Sequence, residues 1–580
     1  MTGSSYEKFP EVRVHGYDQR AWSGWLSIGE VLNARCQTGG VLVIDCYPGV
    51  RLRELEETLL PALNATRVIN VESARRDAQA LHDLLARHLT EDRVFGVLSC
   101  HQLVEFFDNE KLQALRQQVS EASDGLTVIY GPGAALVHPG DVLVYADLPR
   151  WEIQQRMRSG EQGNWGVDNH DEDILRRYKR AFFIEWRVFD RHKTPLLKRA
   201  DYLLDTTAGD APALVSGEAF RAGLAQTVQQ PFRVMPFFDP GVWGGQWMKQ
   251  QFDLDPTKPN YAWCFDCVPE ENSLLLRFGA VRIEIPAQDL VLLQPRALLG
   301  EKVHARFGAE FPIRFDFLDT IGGQHLSLQV HPLTEYIQQQ FGMHYTQDES
   351  YYILDATPEA VVYLGTKTGI DPQAMLDDLH AASRGEKRFD DARFINPIPA
   401  RKHDHFLIPA GTVHCSGAGT MVLEVSATPY IFTFKLWDWD RVGMDGLPRP
   451  VHLHHGAQVI DWQRDTAWVH DHLVNRIEPV GEGDGWREER TGLHEREFIE
   501  TRRHWFTAPV IHHTQGSVNV LNLVEGAQAI VDSPCGDFAP FVVHYAETFI
   551  IPAAVGEYRI SLVGDSDGQP LATLKAWVRG

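Results

Sequence analysis

Apolar, β-branched runs alternate with amphipathic segments over roughly the first 225 residues. The predicted strands lie in residues 39–49, 94–100, 126–136 and 141–149, and residues 51–63 have the spacing of a helix. Buried strands that alternate with helices indicate a parallel sheet covered on both faces. The pattern therefore predicts an α/β domain over residues 1–228.

A different pattern follows residue 228. Short strands and turns predict a β-rich domain over residues 232–470, interrupted by one helical insertion at residues 371–386. The last segment, residues 495–580, again reads as alternating strands. Its sequence ETFIIPAAVGEY (547–558) repeats the rhythm of DHFLIPAGTVHC (404–415) but lacks the histidine. We therefore expect an internal duplication whose second copy binds no metal.

Composition narrows the class of protein. A chain of 580 residues with 44% hydrophobic and 23% charged residues is typical of a soluble, multidomain protein. The net charge of −23 argues against nucleic acid or an anionic membrane as partner. Seven dispersed cysteines and no apolar run long enough for a membrane span predict a cytoplasmic protein with reduced thiols. The sequence indicates no oligomeric state.

Four candidate metal ligands lie within the middle domain: Gln329 and His331 in LSLQVHP, Glu349 in DESYYIL, and His414 in IPAGTVH. Residues two apart in a strand share a face, so Gln329 and His331 point the same way. The Pro-Ala-Gly turn places His414 where a strand begins. Because the chain has 25 histidines, a single His–Glu pair would more often be a structural contact. The ordered set of motifs decides between the two.

The segments FPIRFDFLDT, LSLQVHP, ESYYILDA, FLIPAGTVHC and FKLWDWDR follow one another within residues 311–441. This set resembles the zinc-dependent class I mannose-6-phosphate isomerases, which are cupin proteins, and the resemblance covers about the last 350 residues. It implies two jelly-roll barrels and one Zn²⁺ held by the four candidate ligands. Manganese, iron or cobalt would suit the same ligands.

The resemblance implies an aldose–ketose isomerase that interconverts mannose 6-phosphate and fructose 6-phosphate through a cis-enediol. Glu424 matches a family glutamate and is the candidate proton shuttle. Lys435 stands where the family has an arginine and is the second candidate for catalysis and substrate charge. Gln347 stands where the family has a lysine and is a candidate for substrate binding, and Ile431 stands where the family has an acid. Arg441 and Arg449 are further cations that are candidates for substrate binding.

These departures keep two other functions open: an isomerase or epimerase of an unphosphorylated sugar, and a sugar-binding regulator without catalysis. The N-terminal domain resembles uridine-kinase-like P-loop folds. Its loop Cys46–Leu55 (CYPGVRLREL) lacks the Lys-Ser/Thr pair that a phosphate cradle needs. Several basic residues of this domain would either bind an anion or form a solvent-exposed face. They are Arg156, Arg158, Arg187, Arg191 and Lys193. A bifunctional kinase–isomerase is the least favoured hypothesis.

Overall fold

The computed structural model describes residues 4–121, 125–427, 432–444, 446, 449–495, 497–563 and 569–579. The chain divides into two compact units. The α/β unit contains Glu11–Thr227 and Ser273–Gln294, and the β unit contains Met1–Pro10, Val228–Asn272 and Pro295–Gly580. No helix in the described ranges is long and apolar enough to cross a membrane. All seven cysteines are free thiols.

The α/β unit is built on a seven-stranded sheet. Five adjacent strands are parallel, the next strand is antiparallel to them, and the edge strand beyond it is antiparallel to that one. The strand order is Ala21–Ser23, Ala213–Ser216, Tyr202–Asp205, Val142–Asp147, Gly40–Cys46, Leu126–Gly131 and Ala65–Asn70. The helices are Trp25–Arg35, residues 52–62, Ala78–Leu89, Asn109–Ser120, Arg150–Arg158, residues 174–199 and Gly217–Thr227. The predicted parallel sheet is confirmed.

One predicted strand is wrong. Residues 94–100 are irregular, and their main-chain donors go to helices: Val97 N bonds His88 O, and Ser99 N bonds Phe183 O. The strand at that edge of the sheet is Ala65–Asn70 instead. Three of its six residues are exposed, so it carries no continuous apolar run that would mark it in the sequence.

Residues 273–294 belong to the α/β unit, which the predicted ranges 1–228 and 232–470 do not anticipate. The reason is a long-range pairing. The hairpin Ser273–Phe278 and Val281–Pro286 adds its first strand, in parallel, to Glu11–Arg13. The helix Ala287–Leu293 follows it.

The β unit contains two two-sheet barrels. The first barrel has a six-stranded sheet in the order His405–Ile408, Glu349–Ala356, Thr420–Ser426, Arg314–Asp319, Trp263–Cys267 and Phe237–Asp239. Its second sheet runs Ile395–Pro399, Val361–Thr366, His414–Ser416, Leu328–Val330 and Phe434–Trp437. The helices of this region are Trp247–Gln251, Pro295–Leu299, Glu301–Phe307, Thr334–Phe341, Pro372–Ser383, Asp391–Phe394, Leu453–Val459 and Thr466–His472. Pro372–Ser383 is the predicted helical insertion.

The second barrel repeats this arrangement. Its larger sheet runs Glu478–Gly483, Trp486–Thr491, Ile499–Phe506, Leu571–Val578, Asn519–Glu525 and Thr548–Ile551, and its smaller sheet runs Val510–His513, Glu557–Leu562, Gln528–Asp532 and Phe541–His544. Side chains from both sheets, such as Phe549 and Ile560, share one buried core. Two strands of the larger sheet precede residue 495, where the predicted domain begins.

A buried ion network joins the amino-terminal segment to both barrels within the β unit. The Arg233 guanidinium lies 2.9 Å from Glu547 Oε1 and 3.4 Å from Asp266 Oδ1. The Tyr6 hydroxyl donates a hydrogen bond to Asp266, and Arg233 Nε donates to Thr548 O. All four ionic and phenolic side chains are buried, so removing the one cation leaves two carboxylates uncompensated.

We therefore expect Arg233→Met to destabilise the β unit by about 3–5 kcal/mol. The matched control is Arg296→Met, because Arg296 pairs with Glu301 while both side chains are about 70% exposed. Loss of such a surface pair costs at most about 1 kcal/mol. Calorimetric unfolding of both variants measures the difference, and equal destabilisation would contradict a role for this network.

Candidate metal centre

Three of the four predicted ligands converge at one point inside the first barrel. Ligand atoms of His331, Glu349 and His414 all lie within 4.8 Å of one another, and the three side chains are buried. Glu349 Oε2 is 3.1 Å from His331 Nε2, and Glu349 Oε1 is 2.9 Å from His414 Nε2. The carboxylate thus stands between two imidazoles, one approaching each oxygen.

The strand geometry explains this convergence. Glu349 begins the strand Glu349–Ala356 and pairs with Ile408, the last residue before the turn that leads to His414. Gly411 in that turn has a φ of 88°, a conformation that suits glycine. Gly411 N donates to His331 O, which ties the turn to the third ligand. The sequence pattern Pro-Ala-Gly therefore fixes the distance between the histidines.

Main-chain carbonyl groups set the tautomer of both imidazoles. His331 Nδ1 lies 3.0 Å from Phe432 O, and His414 Nδ1 lies 2.8 Å from Thr412 O. A carbonyl oxygen only accepts, so each Nδ1 carries a hydrogen, and in its neutral form each ring turns an Nε2 lone pair toward Glu349. Burial lowers the pKa of His331, but the charge of Glu349 and the hydrogen bonds to the ring together outweigh it and raise this pKa above its usual value. An imidazole lone pair and a carboxylate oxygen repel each other at this distance unless a cation lies between them.

Gln329 completes the set. It pairs directly with His414 across the sheet, and its amide nitrogen lies 3.3 Å from His414 Nε2. A half-turn of the amide, whose two ends are assigned by hydrogen bonding, presents the oxygen to the same point. Two imidazole nitrogens, a carboxylate and an amide oxygen are a donor set typical of a catalytic divalent metal.

The polar atoms at this point are suited to a cation. His331 Nε2 and Glu349 Oε1 are buried and have no hydrogen-bond partner among the described residues. Burial raises the pKa of Glu349, but His331 and His414 outweigh it and hold this pKa well below its usual range. Burial lowers the pKa of His414, which keeps that ring neutral. These residues fit a bound metal ion.

Glu424 faces the same site. It lies on Thr420–Ser426, opposite Tyr351, and is 5% exposed. Gln347 Nε2 donates to Glu349 Oε2 at 2.9 Å and to Glu424 Oε1 at 3.2 Å, so one amide bridges the two carboxyl groups. Burial raises the pKa of Glu424 well above its usual range, and the charges of Asp316 and Glu349 raise it further. The raised pKa makes Glu424 a weaker acid than an exposed glutamate.

Arg314 and Asp316 are functional neighbours that the sequence reasoning missed. Asp316 pairs with Glu424 across the sheet, and Arg314 Nε donates to Asp316 Oδ1 at 3.0 Å. Burial raises the pKa of Asp316 to about 6, although Arg314 opposes this. The segment FPIRFDFLDT could have indicated them, because two charged residues alternate there with apolar residues on a buried strand.

The predicted substrate cations lie on the neighbouring strand and loop. Lys435 pairs with Gln329, which places both on one face of the sheet. Arg441 Nη2 lies 2.8 Å from Asp438 Oδ1, and Arg449 Nη1 lies 3.2 Å from Asp438 Oδ2. Two guanidinium groups thus share one carboxylate. Ile431, predicted at the position of a family acid, lies outside the described residues.

Other histidines have structural partners. His405 is buried between Ser350 and Thr491, to which its two ring nitrogens are bonded. Burial lowers its pKa to about 3, with a further contribution from Arg503, so the ring is neutral. His452 is buried, and its Nδ1 accepts a hydrogen bond from Lys435 N, because its helix packs on the strand Phe434–Trp437.

Known proteins resemble this chain in two ways, through one family model and through individual relatives. Residues 24–229 match a family described as a domain of unknown function (DUF8485). The mannose-6-phosphate isomerase ManA of Bacillus subtilis (strain 168) is 31% identical over 238 residues, which are 40% of this chain and 68% of that protein. The mannose-6-phosphate isomerase of Streptococcus mutans serotype c is 26% identical over 222 residues, 38% of this chain and 64% of that protein.

The crystal structure of the mannose 6-phosphate isomerase from Bacillus subtilis is 17% identical. It aligns with 60% of this chain and 100% of its own, with a TM-score of 0.47. The sequence alignments span about two thirds of the curated relatives' length. On the identity and coverage of the first relative, the chain belongs to the mannose-6-phosphate isomerase family.

Proposed function

We propose that this protein is a metal-dependent aldose–ketose isomerase that interconverts mannose 6-phosphate and fructose 6-phosphate. The observation that carries the proposal is the buried junction of His331, Glu349 and His414, joined through Gln347 to the carboxyl group of Glu424. The names of the family relatives supply the substrate.

Zinc is the metal we propose, held by Gln329, His331, Glu349 and His414. When bound, it supplies Lewis acidity toward the sugar oxygens, which stabilises the charge that develops beside the carbonyl. Manganese, iron and cobalt accept the same nitrogen and oxygen donors. A site of two neutral imidazoles and one carboxylate leaves room for substrate oxygens.

The chain's own residues would handle the proton. Isomerisation moves one proton between neighbouring carbons through a cis-enediol, which requires a single group that both accepts and donates. Glu424 is the candidate, because it is buried, pairs with Asp316 across the sheet and accepts a hydrogen bond from Gln347. Gln347 acts as a positioning residue, since its carbonyl oxygen accepts from Phe432 N while its amide nitrogen holds both carboxyl groups.

Lys435, Arg441 and Arg449 are the proposed phosphate contacts. The two guanidinium groups share the one carboxylate of Asp438, so these three side chains carry a formal net charge of +1. Ser327 Oγ donates to Asp438 at 2.5 Å, two residues before Gln329, so this charge lies close along the chain to the metal ligands. A phosphate that bridges the arginines would hold the sugar beside Gln347 and Glu424.

A second candidate is an isomerase or epimerase of an unphosphorylated sugar. It is favoured by one observation: Gln347, which stands where the family has a lysine, is committed to two carboxyl groups and offers no charge to a phosphate. A sugar-binding regulator without turnover would use the same site but would not need Glu424 to titrate.

For the rest of the chain, we propose a kinase-like domain without a phosphate cradle at residues 1–228, a catalytic barrel at 232–470 and a metal-free copy at 495–580, in a cytoplasmic protein. A cavity of about 650 Å³ in the α/β unit borders the loop where a P-loop would lie. In that loop Arg51 is paired with Glu161 and Glu54, and the buried Arg156 donates to Gly49 O. These cations are occupied by protein groups, which supports a scaffold role.

Removal of a metal ligand tests the centre itself. We expect the wild type to retain about one zinc per chain after dialysis, since a mononuclear site binds one ion. Removal of a residue that only hydrogen-bonds a metal ligand lowers metal affinity by roughly 10–100-fold. His331→Ala removes a ligand itself, so its affinity for zinc should fall by more than that. Elemental analysis measures the zinc content. His380→Ala, at an exposed position, is the control, and equal zinc in both variants would place the metal elsewhere.

Replacement of the proposed proton shuttle tests catalysis. Glu424→Gln should lower kcat by about 10²–10⁴-fold, because an amide cannot accept the proton. Zinc content should stay near one per chain. A coupled assay with mannose 6-phosphate measures kcat, and Glu359→Gln, at an exposed position of the same barrel, is the control. A Glu424→Gln enzyme with full activity would refute this role.

The phosphate contacts distinguish the two candidate substrates. Arg441→Met should raise KM for mannose 6-phosphate by about 10–100-fold, the equivalent of one lost charge-assisted hydrogen bond, and leave free mannose unaffected. Arg401→Met, which removes an exposed arginine, is the control. A wild type that turns over free mannose faster than its phosphate would favour the unphosphorylated substrate.

A further inference from the structure

The second barrel encloses a cavity that the proposed isomerase does not use. Its volume is about 440 Å³, and its polar lining includes Trp486, Glu488, Arg502, His504, His512 and Lys575. All of these residues belong to the barrel's own two sheets and none reaches the metal centre. The cavity therefore has its own set of charged and aromatic groups.

The strand register places this set at the position that corresponds to the metal centre of the first barrel. Glu349 pairs with Ile408 just before a proline, and Asn519 pairs with Ile551 just before a proline. In the first barrel, Tyr351 lies two residues after Glu349 and pairs with Glu424. In the second, Leu521 lies two residues after Asn519 and pairs with Lys575. Lys575 is thus the counterpart of Glu424.

The charge of this cross-strand pair is inverted between the barrels. Asp316 pairs with Glu424 in the first barrel, and Arg502 pairs with Lys575 in the second. The carboxylate of Glu349 is replaced by the amide of Asn519, whose oxygen accepts from the hydroxyl of Tyr558. The second barrel has therefore exchanged groups that bind a cation for groups suited to an anion.

His512 lines this cavity and has one buried ring nitrogen. Lys575 Nζ donates to His512 Nδ1 at 3.3 Å, so the neutral ring carries its hydrogen on Nε2. His512 is 5% exposed, its ring stacks on Tyr558, and Nε2 has no hydrogen-bond partner among the described residues. An unsatisfied buried donor is costly, and an acceptor atom in the cavity would satisfy it.

Lys575 supplies the charge. Within the part of the chain that the structure describes, its hydrogen-bond partner is His512 and no carboxylate oxygen lies within 4.0 Å. Arg502, by contrast, is paired with Glu488 and Glu500. Burial lowers the pKa of Lys575 to about 8, so the ammonium is still charged at pH 7 with two N–H groups unused.

We propose that this cavity binds a small organic oxyanion, a carboxylate or a phosphate, between Lys575 Nζ and His512 Nε2, with the body of the ligand against the Trp486 ring. The cavity is large enough for a ligand of roughly sugar size, since small-molecule sites typically range from about 300 to 1,000 Å³. The site is independent of the isomerase reaction and of the metal.

Calorimetric titration of the full chain with inorganic phosphate and, separately, with citrate tests the site and distinguishes the two oxyanions. We expect at least one probe to bind, with an affinity reduced at least about tenfold in Lys575→Met, as for loss of one charge-assisted contact. Lys302→Met, at an exposed position of the same unit, should bind like the wild type. Lys435→Met should retain this binding as well, which separates it from the first barrel.

Folding of each variant is checked by its unfolding temperature, and the wild type provides a direct test if Lys575→Met does not fold. Crystals soaked in selenate should show anomalous density within hydrogen-bond distance of Lys575 and His512. Absence of that density, or binding of both probes unchanged in a folded Lys575→Met protein, would overturn the proposal.

Discussion

The site depends on one buried carboxylate held between two imidazoles. Glu349 can adopt this position only because its strand pairs on one side with the strand that precedes the His414 turn, and on the other with the strand that carries Glu424. Main-chain carbonyls fix both tautomers, so three sets of lone pairs meet in a buried space. Such an arrangement is costly by itself, and a bound cation relieves it.

The same two-sheet barrel occurs twice, and the duplicates differ mainly in the charge of their inner positions. In the first, Asp316 and Glu424 form a carboxyl pair beside the metal centre; in the second, the corresponding pair is Arg502 and Lys575. The fold tolerates either set because the register is maintained by apolar positions on the same strands. Function in this protein therefore follows from a few inner residues.

Much of the metal centre was predictable from the sequence because its ligands lie at strand ends that local motifs mark. The role of Gln347 was not, since its amide reaches Glu424 only through a pairing 77 positions away. The strand predicted at residues 94–100 failed because apolar residues there pack against helices, and the polar edge strand Ala65–Asn70 was overlooked. The transfer of residues 273–294 to the α/β unit depends on a similarly distant pairing.

The most direct test of the account is X-ray absorption spectroscopy of the zinc-loaded protein. We expect a single zinc with only nitrogen and oxygen neighbours at about 2.0–2.2 Å, two of them imidazoles. A sulfur neighbour at about 2.3 Å, or a spectrum unchanged when Glu349 is replaced by glutamine, would mean that the metal binds elsewhere.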